Sequence, residues 1–437
     1  MNILKRFEST DTVLAITSYP NDLDSSRGKK EFNAVAWHSQ KTLMHLSGLT
    51  KVVVFAEKRT GKKFFQPNDS LIVQRMWEKG NIFSLLLMLK QILRLPKIKN
   101  IFVQFEFNVF GGILPNLILL LNLAILRLFR KHITFELHQV ITDISLLQKH
   151  IHITHPLLQT FFNISLGLFY RLLGFIAQDI IVFEEELKTR LSRFVKEDKI
   201  HVLSLAVDSK KTIPSKKARQ AVALPQKDFT LLVFGFINGY KGIDWIIEKL
   251  KGLEEKNVRL IIAGGENPYL KDKKHYQDFY KNIVNEAQKY SHVTLTGFVP
   301  DEKVHEYFSA ADLVLMPYEV FMAASGPFSL ALSYQKPLLL SNVLKDYAKS
   351  HDFSAALNHA QLKEKDIFFS LKNNDLLTLI EKAQKDSAYR KKLHIFMKEL
   401  ATLRSSTTVV ARLFSILTKT NTSLSSVLQE EKSLSIR

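Results

Sequence analysis

The chain is 437 residues long and carries 61 Lys and Arg against 42 Asp and Glu, a formal charge of +19 at pH 7. Hydrophobic residues make up 46% and charged residues 24%, which excludes wholesale disorder and a collagen-like fibre. The absence of cysteine excludes disulfides, thiolate metal sites and cysteine nucleophiles.

At about 100–200 residues per domain, two or three domains are expected. Met1–Thr10 has no apolar core of signal-peptide length, so a cytoplasmic location is expected. The basic excess is spread over the whole chain: residues 1–210 hold 28 basic and 18 acidic side chains, the remainder 33 and 24. Such a charge draws phosphorylated ligands, membrane headgroups or nucleic acid. No zinc-finger, basic-zipper or RNA-recognition spacing is present, so nucleic acid is not expected as a partner. A plain solvated surface is the competing reading.

In chain order, short runs of Val, Ile, Leu and Phe alternate with longer amphipathic segments. Strands are predicted at Val13–Thr17, Lys51–Phe55, Asn100–Phe105, Ile133–Leu137, Asp179–Phe183 and Ile200–Leu203, with helices such as Glu31–Leu46 and Ile82–Arg94 between them. Ile113–Leu126 and Leu157–Gln178 are strongly apolar helices. The first is shorter than the ~20 residues of a spanning helix, and the second carries Arg171 well inside it. Each is expected to pack in a core or to graze a bilayer surface. Asp208–Pro225 is polar, basic and aperiodic, and reads as a linker. Strands resume at Thr230–Gly235, Arg259–Ala263, Val293–Thr296, Leu313–Pro317 and Pro337–Leu340. Helices are predicted at Asp375–Lys385, Tyr389–Leu403 and Thr408–Lys419, followed by a fraying tail, Thr420–Arg437. The alternation implies an α/β protein with doubly wound sheets. The predicted domains are 1–210, a linker 211–225, and 226–400. A C-terminal helix and tail, 401–437, is expected to pack back on the first domain.

The densest chemistry follows the strand ending at Gly235. Asn238-Gly239-Tyr240-Lys241-Gly242 opens a helix. Glycines permit the turn, and a lysine beside a helix N-terminus suits a phosphate. No Gly-Lys-Ser/Thr is present, so this is not a P-loop; taken alone it also reads as an ordinary β-to-α connection. Gly264-Gly265 ends the next strand, Pro317-Tyr318 a later one, and Ser325-Gly326-Pro327 opens a helix. Backbone N–H groups at Ser325 and Gly326 suit a diphosphate.

Taken in order, KGID, RLIIAGGE, VTLTGFVPDEKV, YFSAADLVLMPY and ASGPFSLALSYQKP, between Phe234 and Ser341, resemble the C-terminal half of the family 4 retaining glycosyltransferases (glycosyl transferases group 1). These have the GT-B fold, two Rossmann-like domains facing a central cleft. Gln104–Gly112, Thr134–His138 and Lys199–Asp208 resemble first-domain segments more weakly. The resemblance implies metal-independent transfer of a hexose with retention of configuration, in cell-envelope polysaccharide or glycolipid synthesis. The donor would be a UDP- or GDP-hexose held mainly by the second domain. It is a substrate, so no cofactor is expected. The acceptor would be a glycan or lipid-linked molecule on the first domain, with peripheral contact to the inner face of an anionic membrane. The substitution would be front-face, with the leaving diphosphate helping to deprotonate the acceptor.

By the same resemblance His138 touches the transferred sugar, and Lys241 and Glu319 join it as catalytic residues. Gly239, Lys241, Gly264, Gly265, Tyr318, Ser325 and Gly326 would bind the donor; Gly28, Glu106, Gly111 and Gly112 would lie on the acceptor side. Two departures stand out. Phe236 occupies a place where the family usually has arginine, and Met322 and Leu330 occupy the places of a glutamate pair, with Glu319 three residues before the first. They leave open an alternative: a catalytically inactive GT-B protein that binds a nucleotide-sugar or glycan.

Other motifs have blander readings. His150, His152 and His155 read as a polar loop before an apolar helix rather than a metal site, and Glu184-Glu185-Glu186 as a helix start. Asp22-Leu23-Asp24 reads as a solvated loop. Arg27-Gly28-Lys29-Lys30 reads equally as an acceptor-side glycine loop or a solvated one. Glu106 reads as an acceptor contact or as half of a buried ion pair.

Overall fold

The computed structural model describes residues 2–20, 34–59, 62–144, 155–253, 257–323 and 325–419. The chain divides into two units, Met1–Ala206 with Ser406–Arg437, and Val207–Ser405.

The first unit runs α1 (Asn2–Arg6), β1 (Val13–Thr17), α2 (Ala34–Leu46), β2 (Val52–Glu57), β3 (Phe64–Asn68), β4 (Leu71–Trp77), α3 (Ile82–Leu93), β5 (Asn100–Phe105), α4 (Ile113–Leu128), β6 (His132–Leu137), α5 (Pro156–Ile176), β7 (Asp179–Val182), α6 (Glu185–Leu191) and β8 (Ile200–Val202). The strands form one sheet in the order β3-β4-β2-β1-β5-β6-β7-β8. All its pairings are parallel except β3 with β4. β1 and β2 are buried almost throughout, the pattern of strands covered on both faces. The register sets Phe105 opposite Leu137 and Leu137 opposite Val182. The residues just past these ends, Glu106, His138 and Phe183, therefore gather at one edge of the sheet.

The β3–β4 hairpin is absent from the sequence-based elements. β3 is a half-exposed edge strand containing Gln66 and Pro67, and β4 is interrupted by Gln74 and Arg75, so neither shows a continuous apolar run. Arg75 is nonetheless buried. Its guanidinium donates to the carbonyls of Tyr19 (2.5 Å), Pro20 (2.7 Å) and Glu57 (3.2 Å).

The second unit runs α7 (Ser215–Ala221), β9 (Phe229–Phe234), α8 (Ile243–Lys249), β10 (Val258–Ala263), α9 (Lys274–Gln288), β11 (Val293–Leu295), α10 (Val304–Ala310), β12 (Leu313–Met316), α11 (Gly326–Ser333), β13 (Leu338–Ser341), α12 (His351–His359), β14 (Phe368–Phe369), α13 (Asp375–Lys385) and α14 (Ser387–Leu403). Its all-parallel sheet has the order β11-β10-β9-β12-β13-β14. The segment expected to be an aperiodic linker contains α7. Ala218 and Arg219 of α7 are buried, and Arg219 Nη2 pairs with Asp312 Oδ2 at 2.6 Å. A last helix, α15 (Ser406–Thr418), belongs to the first unit. There Val409, Val410, Leu413 and Leu417 join Leu43 and Leu46 of α2 in one core.

Among the described residues, no helix is long and apolar enough to cross a membrane. α4 and α5 bury one face each, through residues such as Leu119, Leu123, Tyr170 and Leu173. Their other faces remain open.

Candidate active site

In the second unit the site begins with a backbone requirement. Gly235 follows β9 with φ +98°, a conformation side chains rarely adopt. A Cβ there would lie 2.7 Å from Lys241 Nζ and 3.1 Å from Pro327 Cγ. The glycine thus brings together the end of β9, the lysine and the first turn of α11. Lys241 sits in the short turn Gly239–Lys241 and is only 4% exposed. Its ammonium donates to the Phe234 carbonyl at 3.4 Å, and no carboxylate among the described residues pairs with it. Burial pushes its pKa down to about 7. A desolvated cation with one weak partner favours an incoming anion.

The first turn of α11 adjoins this position through Pro327. Ser325 caps this helix, its Oγ accepting from the Phe328 N–H at 3.3 Å. Space is open where a Cβ would stand at Gly326 and at Gly239, so a ligand can approach the backbone at both. Gly264 and Gly265 serve by packing. A Cβ on Gly264 would lie 2.2 Å from the Gly235 carbonyl oxygen, and one on Gly265 would lie 2.7 Å from the Phe298 nitrogen. Gly235 and Ile237 in turn donate to the carbonyls of Ala263 (2.9 Å) and Gly265 (3.0 Å), which fixes the loop after β9.

One expectation changes. Tyr318 is not placed to touch a donor: it is 2% exposed, with its hydroxyl 3.3 Å from Ser325 Oγ and its ring edge-on to Tyr240. It supports the Ser325 turn from behind. Glu319 is half-buried, and its amide donates to the Tyr240 carbonyl at 2.7 Å. Met322 and Leu330 are partly buried against the core, so neither place offers a carboxylate. Phe236, at the place where the resembled family usually has arginine, stacks on Phe298, 6.2 Å between centroids and 21° between planes; Phe298 is 49% exposed. Phe298 was missed because its partner lies 62 positions earlier in the chain.

In the first unit His138 follows β6 and is buried, as is Glu136 two residues earlier. His38 Nε2 from α2 lies 2.8 Å from Glu136 Oε1, and Gln104 Nε2 from β5 donates to the same oxygen at 2.8 Å. His138 Nε2 lies 3.4 Å from it. Burial acts to raise the Glu136 pKa, but the two histidines more than offset this and hold it well below the usual carboxylate range. For His138 burial is the largest influence and lowers its pKa, against the pull of Glu136. His38, Glu136 and His138 bring together ligand types that suit a metal ion, yet the Glu136 oxygen already accepts the Gln104 amide. His38 carried no sequence signal of its own, and Gln104 only its place at the head of the Gln104–Gly112 segment.

Glu106 is half-buried just past β5, and its charge acts on His138. It makes no ion pair with the described residues. Gly111 (φ +98°) packs on the chain at Gly80, where a Cβ would meet the Gly80 nitrogen at 2.4 Å; Gly112 (φ +100°) caps α4 beside open space. Gly28, with the Arg27–Lys30 loop, Asp22, Asp24, His150 and His152, lies outside the described residues. His155 is exposed at the start of α5. Glu184 and the first turn of α6 hold the acidic run, with Glu186 paired to Arg190 at 3.0 Å, as a helix start requires.

Residues 214–345 match the family model described as glycosyl transferases group 1. No curated protein sequence matches the chain. Among solved structures, the chain resembles sucrose-phosphate synthase from Thermosynechococcus elongatus, with TM-score 0.67 and 14% identity over 92% of this chain and 97% of that one. It also resembles HepE from Anabaena, in a complex with UDP and glucose, with TM-score 0.60 and 14% identity over 93% and 99%. A third is WaaG, a glycosyltransferase involved in lipopolysaccharide biosynthesis, with TM-score 0.59 and 14% identity over 94% and 100%. Two Rossmann-like units with C-terminal helices, matched over nearly the full length of these structures, define the GT-B fold. The matched stretch of the second unit, residues 214–345, contains the ordered motifs between Phe234 and Ser341.

Proposed function

We propose that the chain is a retaining hexosyltransferase, independent of metal, that takes a UDP- or GDP-hexose as donor and a glycan or lipid-linked molecule as acceptor. The observation that carries this reading is the buried Lys241 ammonium, held between Gly235 and the Ser325-capped start of α11 without a carboxylate partner among the described residues. A nucleotide diphosphate supplies the missing anion. As the bond from the sugar's anomeric carbon breaks, its electron pair passes to the diphosphate oxygen. Lys241 and the α11 N-terminus meet that growing charge in a site with little water, where such stabilisation is largest. The acceptor oxygen attacks the same face of the sugar and gives its proton to the departing phosphate. His138 contacts the sugar, and Glu106, Gly111 and Gly112 lie on the acceptor side. HepE, with UDP and glucose bound, supports a donor of this class.

The surface of the first unit supports a membrane-linked acceptor and a place at the cytoplasmic face. Sixteen of the twenty-one exposed large apolar side chains among the described residues lie on α3, α4 and α5 or at the end of α4. The three helices pack side by side, contain no Asp or Glu, and carry Lys90, Arg127 and Arg171 as their only charges. An apolar face with basic residues suits an anionic bilayer.

Incubating the purified protein with UDP- and GDP-hexoses and a panel of lipid-linked acceptors, and following nucleotide release, tests the activity. The residues at Phe236, Met322 and Leu330 favour a second reading, a protein that binds a nucleotide-sugar without turnover. Tight donor binding with no release across the panel would support that instead.

A further inference from the structure

Two loops leave the edge of the first sheet that holds Glu106 and His138, and each is tied to an apolar helix by polar side chains. In the loop after β5, the Phe107 carbonyl accepts from Asn116 Nδ2 of α4 at 3.0 Å. In the loop after β6, the Ile141 amide donates to the Tyr170 hydroxyl at 2.9 Å, and the Ile144 amide donates to Asn163 Oδ1 at 2.9 Å. Asn163 Nδ2 also donates to Asp143 Oδ1 at 3.3 Å. Tyr170 and Asn163 both stand on α5.

α5 brings these groups to one face. Asn163, Gly167, Tyr170 and Gly174 follow at intervals of four, three and four residues, which makes a single stripe of a helix. The glycines allow a close approach to the chain beyond α6. A Cβ on Gly167 would lie 2.8 Å from the Phe194 ring, and one on Gly174 would lie 2.6 Å from Val195 Cγ2. Tyr170 is fully buried, its ring stacked on Phe194 at 5.9 Å and edge-on to Phe107 at 6.3 Å. The Phe107 contact ties the loop after β5 to the same residue that holds the loop after β6. A buried hydroxyl is costly unless it is bonded, and here its partner is a loop amide. A loop bonded to a neighbouring helix takes its position from that helix. The opposite stripe of α5 carries Phe161, Ile164 and Leu168, which are 64%, 66% and 55% exposed.

We propose that Tyr170 and Asn163 are positioning residues for the acceptor: they hold residues 139–144 at the sheet edge where the acceptor binds, in fixed register with the open face of α5. The acceptor half of this statement rests on the reading of Glu106, Gly111 and Gly112 as acceptor-side.

Hydrogen exchange over residues 139–144 of the full chain, with steady-state kinetics beside it, tests the proposal. Tyr170→Phe keeps the ring and removes the partner of the Ile141 amide, so exchange there should quicken at least about tenfold. The KM for the fastest-used member of the lipid-linked panel should rise about tenfold, within what a misplaced reactant costs, while the donor Kd stays within about twofold of wild type. Asn163→Leu should act in the same way through Ile144, and decides the question if Tyr170→Phe does not fold. Asn122→Leu is the structural control. It removes the bond from α4 to the Leu85 carbonyl of α3, 2.9 Å long, and leaves both loops their partners. It should lower Tm without moving the acceptor KM. Exchange unmoved in the folded variants, an opened loop with an unchanged acceptor KM, or an equal rise in acceptor KM in Asn122→Leu would overturn the proposal. A wild type that turns over no member of the panel would remove the transferase reading and the acceptor role together, and exchange in the variants would then decide the anchoring of the loop by itself.

Discussion

Gly235 and Lys241 occupy adjoining space: the Cβ that the glycine lacks would stand 2.7 Å from the lysine Nζ. Gly235→Ala is therefore expected to act twice. It forces a side chain into φ +98°, a strain of about 1–3 kcal/mol, and it pushes the ammonium from its seat. Titration calorimetry should show at least tenfold weaker binding of the nucleoside diphosphate, with a lower Tm. Unchanged affinity in a folded variant would mean that the ammonium is not seated where the diphosphate binds.

On the proposed reading, Lys241 is a binding group held at the expense of stability. Its pKa is about 7 in the folded chain against an ordinary 10.5. Between those values the unfolded chain holds more protons, so stability rises with pH across that window. Lys241→Met removes the buried charge. At pH 7 it should raise Tm by a few degrees, ~2–4 °C per kcal/mol for a chain of moderate size, while donor binding is lost. A fall in Tm would show that the ammonium contributes to folding after all.

The Arg404–Asp352 pair has the opposite sign. Arg404 Nε meets Asp352 Oδ2 at 2.7 Å, and Nη2 meets Oδ1 at 3.2 Å; Arg404 is buried and Asp352 partly so. Burial alone would raise the Asp352 pKa, but the Arg404 charge and hydrogen bonds hold it at about 2, against an ordinary 3.8. The stability this supplies is present above pH 3.8 and is lost as pH falls towards 2. Arg404→Met, which leaves the partly buried carboxylate without its cation, should cost about 3 kcal/mol in urea unfolding at pH 7. Adding Asp352→Leu should restore most of it. A single variant as stable as the wild type would contradict this account of the pair.

The open faces of α3, α4 and α5 should act through membranes and not through folding. Phe161 and Ile164 are 64% and 66% exposed on α5. Phe161→Glu with Ile164→Glu should leave stability within about 0.5 kcal/mol per site. Co-sedimentation with anionic vesicles at low salt should fall several-fold. A wild-type protein that stays in the supernatant would rule out the docking face.

The parallel strands were readable because strands buried on both faces are continuous apolar runs, as in Val13–Thr17 and Arg259–Ala263. The hairpin of β3 and β4 was not, since Pro67 and Arg75 interrupt it, and Arg75 is tolerated only because three backbone carbonyls receive its protons. Helix α7 was hidden for a similar reason. Of its seven residues only Ala218 and Arg219 are buried, so no apolar stripe marks it. At the site, Lys241 and the glycines around it follow from turn chemistry and local spacing. His38 does not, because its partner Glu136 lies 98 residues away and only the sheet brings them together. The burial of Tyr318 was likewise invisible: it follows from Ser341 Oγ donating to its carbonyl and from the Tyr240 ring beside it.

The central claim is that Lys241 and the start of α11 hold a nucleoside diphosphate. Calorimetric titration of the wild type and Lys241→Ala with UDP and with GDP, at pH 6.5 and pH 8.5, tests it most directly. The account predicts saturable binding of at least one nucleotide to the wild type, weaker at pH 8.5 because the lysine must first take up a proton, and its loss in Lys241→Ala. Equal binding by wild type and variant, or no binding of either nucleotide to the wild type, would contradict it.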